Sequence, residues 1–286
     1  MNFDGLFRAL RIRTTLRWLV FGFIVCAAGP TGSAVVLGAE PEVSKENFHL
    51  FLLVGQSNMA GRGPMGEGDR AVDPRVWMLN REEEWVLAVD PLHFDKPGVV
   101  GVGLGRSFAR HVADADPEVR VGLIPCAVGG SPIASWEPGA YDEPTRSHPY
   151  DDALKRARKA METGTLKGIL WHQGESDAQP ELAAVYEQRL HELIARFRKE
   201  LNAPDLPFVA GQMGRFEERP WSEAKERVDA AHRNLPGKVA HTAFVSAAEL
   251  KHKGDQIHFD SDSYRILGDR YAEAYSSLQD GGRAPE

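Results

Sequence analysis

Apolar positions along the chain follow two alternating rhythms. Short runs rich in branched and aromatic residues read as strands: Phe48–Val54, Arg75–Leu79, Val119–Ile124, Gly168–Trp171, Pro207–Gly211 and Val239–Val245. Between them, Leu104–Ala113, Asp151–Glu162, Glu181–Leu201, Ser222–Asn234 and Ser261–Leu278 carry apolar residues at helical spacing. In the longest of these, Leu182, Val185, Leu190, Leu193, Ile194 and Phe197 gather near one face. Strands alternating with helices of this length predict an α/β fold with a central parallel sheet covered on both faces. No repeat or low-complexity linker divides the chain, and "REEEW" (Arg81–Trp85) reads as a solvated loop.

The first 39 residues break the pattern. Arg8, Arg11, Arg13 and Arg17 precede an apolar run, Trp18–Ala28, and Gly29, Pro30 and Gly32 follow it. Basic, then apolar, then small is the order of a secretory signal, and the run falls short of the roughly 20 residues a membrane span needs. The expectation is a signal peptide over 1–39 and a single domain over 40–286, secreted or periplasmic, with no stable membrane insertion after processing. Loss of the leader removes four arginines and one aspartate, which moves the net charge from −7 to −10. An acidic chain without basic runs argues against a nucleic-acid partner. Only Cys126 remains after processing, so no internal disulfide is expected and stability rests on the core.

In a parallel sheet, ligands collect beyond the carboxyl ends of the strands. Three strand runs end in unusual polar segments: "GQSNMAG" after Val54, "PCAVGGS" after Ile124 and "HQGESD" after Trp171. A fourth, "GDQIHFD", precedes the last helix, and all four are expected along one edge. A serine hydroxyl attacks only when a base takes its proton, and His258 is the candidate base for Ser57. Asp255, three residues before it, is placed to hold the imidazole's other nitrogen. The glycine pattern of lipase-type elbows is absent because Met59 stands at its last position. Backbone N–H groups of Ser57 and of Gly129–Gly130, with the side-chain amide of Gln173, are candidate donors to an oxyanion.

These four motifs resemble the sialate O-acetylesterase-like esterases of carbohydrate esterase family six, relatives of the SGNH hydrolases. The resemblance runs from about Phe48 to Tyr275. It implies a three-layer, flavodoxin-like fold with about five strands, and metal-free hydrolysis of O-acetyl esters on an acetylated carbohydrate such as acetylxylan or a sialate. By motif it makes Ser57 the nucleophile and His258 the base, with Gly130 and Gln173 at the oxyanion. Either Asp255 or Glu175 of "HQGE" completes the triad, the local D-x-x-H geometry favouring Asp255. Gln56 and Asn58, which flank the serine, and Trp136 are candidate substrate-binding residues; Trp136 divides between a sugar platform and core packing. His172 reads as a packed structural histidine. No metal-ligand spacing such as H-E-x-x-H and no nucleotide-loop glycine pattern is present, so neither a metal nor a cofactor is expected. Two other readings stand beside this one: a general acyl esterase of SGNH type and a carbohydrate-binding module without activity.

Overall fold

The computed structural model describes residues 41–279. The expected signal peptide lies outside them. Seven strands form one sheet: β1 (Phe48–Gly55), β2 (Val76–Leu79), β3 (Trp85–Leu87), β4 (Arg120–Pro125), β5 (Thr165–His172), β6 (Phe208–Gly211) and β7 (Thr242–Val245). Their order is β3-β2-β4-β1-β5-β6-β7, with every pairing parallel except β2 with β3. The three-layer α/β arrangement is as expected; the strand number is seven rather than about five. The surplus includes β3, which the sequence hid. Its Trp85 stands in the acidic stretch read as a solvated loop, yet it is buried and meets the Phe48 ring edge-on at 4.7 Å. The sequence reading stopped at Trp85, whereas the apolar run continues through Val86, Leu87, Ala88 and Val89, and the antiparallel return of β3 on β2 supplies the burial.

Strand β1 lies at the centre and its run FHLFLLVG is apolar apart from the half-buried His49, because both its faces are covered. Leu50, Leu52 and Val54 point into one core, with helices α3 (Pro149–Ala160), α4 (Pro180–Glu200) and α5 (Glu223–Arg233). Phe51 and Leu53 point into the other, with α2 (Gly105–Ala115) and α6 (Ser261–Gln279). Local signals support these helices. Helix α3 opens on Pro149, with Asp151 and Asp152 in its first turn and Arg158 and Lys159 in its last, matching the polarity of the helix dipole. At the start of α5, Ser222 caps the helix by accepting from Lys225 N at 3.2 Å.

Phe51 joins β1 to the α2–α6 layer through edge-on contacts with Phe108 at 4.8 Å and Tyr275 at 5.0 Å. Phe51→Ala is expected to cost about 3–5 kcal/mol, the usual cavity penalty for a buried aromatic. Urea denaturation would read this as a lower midpoint with an unchanged slope; an unchanged midpoint would show that the aromatic triad contributes nothing.

Candidate active site

The turn that carries Ser57 begins where β1 runs out. Gly55 takes a φ of +128° and brings its chain so close to β5 that a Cβ there would lie 2.2 Å from the His172 carbonyl oxygen. Glycine is required at this point. Gln56 N donates to that same carbonyl at 2.9 Å, and Ser57 opens a four-residue helix, α1 (Ser57–Ala60). Among the described residues, nothing accepts from the Ser57 N–H.

His258 arrives from the loop before α6. Its Nε2 lies 2.9 Å from Ser57 Oγ, and its Nδ1 lies 2.7 Å from Asp255 Oδ2. Asp255 Oδ1 accepts from the backbone N–H of His258 at 2.8 Å and of Ile257 at 3.0 Å. Partial burial raises the Asp255 pKa, but these backbone and side-chain hydrogen bonds outweigh it and hold the carboxyl down at about 2. The carboxylate is therefore charged wherever a histidine can act as a base, and it selects the tautomer with a proton on Nδ1. Serine, histidine and aspartate thus stand in one hydrogen-bonded row.

Glu175 has a different place. It hydrogen bonds to Asn58, whose Nδ2 donates to Glu175 Oε1 at 2.6 Å, and not to His258. Asn58 Nδ2 also donates to the Ile257 carbonyl at 3.1 Å, and Tyr264 OH donates to Asn58 Oδ1 at 2.6 Å. The Asn58 side chain is fully buried, with both its polar atoms engaged, so it is a tie between three loops rather than a group facing substrate. Gln56 Oε1 accepts, at long range, from Gly174 N at 3.3 Å and Ser176 N at 3.4 Å; its amide nitrogen has no partner among the described residues.

The loop after β4 supplies the facing wall. Gly130 adopts a φ of +85°, and nothing among the described residues accepts from its N–H. Its carbonyl accepts from Ser176 Oγ at 2.9 Å. The Gln173 amide, expected to face an oxyanion, is instead committed inside the protein. Its Nε2 donates to Ser131 O at 3.1 Å and to Asp177 Oδ2 at 2.5 Å, while its Oε1 accepts from Tyr186 OH at 2.7 Å. Both amide hydrogens are used, so Gln173 supports the Gly130 loop from beneath. Trp136 is fully buried, edge-on to Trp171 at 5.3 Å, and donates from Nε1 to Ser131 Oγ at 3.1 Å. It is a core residue and offers no ring to a sugar. His172 is buried as expected, with Nδ1 3.1 Å from Tyr271 OH.

Sequence reasoning missed a buried ion pair beneath the site. Arg62, just past α1, meets Asp95 at 2.7 Å, both side chains at most 4% exposed. Arg62 also donates to Gly61 O at 2.8 Å, and Asp95 Oδ2 accepts from Gly129 N at 2.8 Å. The pair ties the Ser57 turn to the Gly130 loop. Its signal in the sequence is faint, because Asp95 lies in an irregular loop with no motif; only the topology brings it to Arg62. A cavity of about 470 Å³ opens beside the triad, lined among others by Glu175, Ser176, Trp221, Lys225, Gln256 and Ile257.

A family model described as carbohydrate esterase, sialic acid-specific acetylesterase, matches residues 47–277. The chain belongs to this family. It is accordingly a carboxylic ester hydrolase of the carbohydrate esterase class. A probable carbohydrate esterase of Arabidopsis thaliana is 32% identical over 249 residues, covering 80% of this chain and 90% of the relative. The X-ray structure of an Arabidopsis thaliana protein is similar at a TM-score of 0.71 with 31% identity, covering 81% of this chain and 98% of that one. The NanS crystal structure shares the fold at a TM-score of 0.69 and 21% identity, covering 84% of this chain and 99% of that one. Among the described residues of this esterase, no helix is long and apolar enough to cross a membrane.

Three histidines surrounding the site are held neutral by burial: His93 is pushed down to about 4, and His172 and His232 to about 3. The unfolded imidazoles take up protons near pH 6.5, whereas the folded ones refuse them until much lower pH. Stability is therefore fully present above pH 6.5 and is lost as pH falls below it, by about 1.4 kcal/mol per pH unit for each histidine. His232→Gln is expected to flatten this dependence by one histidine's share in urea midpoints measured from pH 7 to 4.5; a wild-type midpoint constant over that range would contradict the reading.

Proposed function

We propose that this carbohydrate esterase hydrolyses O-acetyl esters through an acetyl-enzyme formed on Ser57. The observation that carries the reading is the 2.9 Å contact of Ser57 Oγ with His258 Nε2, with Asp255 on the ring's far nitrogen. His258 takes the hydroxyl proton as Ser57 Oγ adds to the acetyl carbonyl carbon. The carbonyl oxygen becomes an oxyanion facing two donors that lack partners, the N–H groups of Ser57 and Gly130. As the tetrahedral intermediate collapses, the bond to the sugar oxygen breaks and His258 returns the proton to that oxygen. Water then adds to the acetyl-enzyme by the same route and releases acetate. Asp255, charged throughout, stabilises the imidazolium formed in each half.

A sugar as the leaving alcohol is supported by the family and by the polar character of the adjoining cavity, where Lys225, Glu175, Gln256 and Ser176 supply charges and hydrogen-bonding groups. We further propose that residues 1–39 are a secretory leader removed from the mature enzyme, on the basic, apolar and small order of that segment.

Ser57→Ala is expected to lower turnover of an aryl acetate by about 10⁴-fold or more and to abolish labelling by a serine-directed phosphonate. Wild-type protein that is neither active nor labelled would favour a binding module. Asp255→Asn is expected to lose about 10³–10⁴-fold in kcat through the wrong tautomer, whereas Glu175→Gln, which keeps a carbonyl oxygen for Asn58, is expected to stay within about tenfold. The reverse order would transfer the acidic role to Glu175. Acetate release across a panel of acetylated xylans and sialates, set against acyl esters of longer chains, separates a sugar deacetylase from a general acyl esterase.

A further inference from the structure

Lys96 stands in the loop after β3, remote from every motif that announced the site. It is half-buried, and its Nζ donates to the Gly129 carbonyl oxygen at 2.7 Å. That carbonyl and the Gly130 N–H belong to the same peptide unit, so a charge on one end acts on the other through the planar amide. We infer that Lys96 is a positioning residue of the oxyanion site: its ammonium fixes and polarises the Gly129–Gly130 peptide, and the Gly130 N–H becomes a stronger donor to the oxyanion. The inference rests on the proposed serine mechanism and adds to it a residue that never touches substrate.

Three observations carry the assignment. First, a short hydrogen bond from a charged donor is of the strong kind, and bonds in a chain strengthen one another. Second, no carboxylate among the described residues lies within ion-pair distance of Lys96; the carboxylate of the adjacent Asp95 is committed to Arg62 and Gly129 N. The ammonium's recorded hydrogen-bond partner is this carbonyl. Third, the other oxyanion donor has the same construction. The Ser57 N–H shares its peptide with the Gln56 carbonyl, which accepts from Met59 N and Ala60 N, both at 3.0 Å. Each donor peptide is thus polarised from its carbonyl end, one by the first turn of α1 and one by a lysine. With Asp95 on Gly129 N and Ser176 on Gly130 O, the remaining N–H of the segment, that of Gly130, is left without an acceptor among the described residues.

The test is a series at position 96 measured with an aryl acetate and with phenylboronic acid, whose tetrahedral serine adduct places an oxygen where the oxyanion would sit. Lys96→Arg is expected to keep kcat within about threefold, Lys96→Gln to lower it moderately, and Lys96→Met to lower it about 5- to 30-fold. That last loss is a fraction of the 10²–10³-fold cost of deleting an oxyanion donor outright. KM should change less than about twofold, and boronate affinity should weaken in step with kcat, which a purely structural loop role would not produce. Melting temperatures of the three variants identify any that fail to fold, and the Arg-against-Gln comparison retains the test if Met does so. Lys96→Met at wild-type kcat, or a lowered kcat with unchanged boronate affinity, would overturn the assignment while leaving Ser57 essential. An active Ser57→Ala variant would instead remove the serine mechanism itself, and this inference with it.

Discussion

The Ser57–His258 hydrogen bond joins residues 201 positions apart, so its length is set by whatever holds the two loops in register. That constraint falls on Asn58. Its amide donates to the carbonyl of Ile257, the residue before the histidine, and its oxygen accepts from Tyr264 on α6. Ser57, the side chain of its neighbour Asn58 and the backbone just before His258 therefore form a closed loop of contacts that fixes the serine and the imidazole relative to each other. Glu175 enters the same loop by accepting from Asn58. The arrangement explains why a carboxylate in "HQGE" resembles a triad member without touching the imidazole: it acts one side chain away, on the asparagine that sets the imidazole's loop.

Much of this edge was legible in the sequence, and the reason is topological. In a parallel sheet the carboxyl ends of the strands share one side, so segments after β1, β4 and β5 had to converge once the alternation of strands and helices was recognised. The D-x-x-H spacing is also local enough to read, since Asp255 reaches both the ring and the backbone N–H of His258 within one turn. Side-chain direction was not legible in the same way. Gln173 follows directly on β5, where it seemed placed for an oxyanion, but Tyr186 and Asp177 come from elements later in the chain and rotate its amide inward. Trp136 stayed divided for a similar reason: a Ser/Pro/Gly-rich loop points to exposure, and only the fold, with Trp171 against its ring, places it in the core.

The least legible part is the buried polar layer under the site. Arg62 and Asp95 are removed from water at a cost that their mutual attraction only partly returns, and such pairs contribute little to net stability. What they fix is geometry. Arg62 holds the carbonyl of Gly61 and Asp95 holds the N–H of Gly129, so one ion pair sets the span between the Ser57 turn and the Gly130 loop. Gly129 is small for this reason, since a Cβ there would lie 2.4 Å from the Arg62 guanidinium and 2.7 Å from the Asp95 carboxylate. In the sequence that glycine was read with Gly130 as a candidate oxyanion donor, whereas its N–H is committed to Asp95.

The same layer shows how burial sorts the charges. Tyr186 accepts from Trp171 and from His232 and donates to Gln173, which in turn donates to Ser131 and Asp177. Because Tyr186 gives its one proton to Gln173, His232 must donate from Nε2, and burial keeps that imidazole neutral. A protonated histidine there would be a buried cation with no carboxylate in ion-pair contact among the described residues. Under the proposed mechanism, a neutral His232, a charged Asp255 and the Lys96 ammonium on the Gly129 carbonyl act together. In that mechanism negative charge is held behind the imidazole, where a cation would form, and positive charge behind the peptide, where an anion would form.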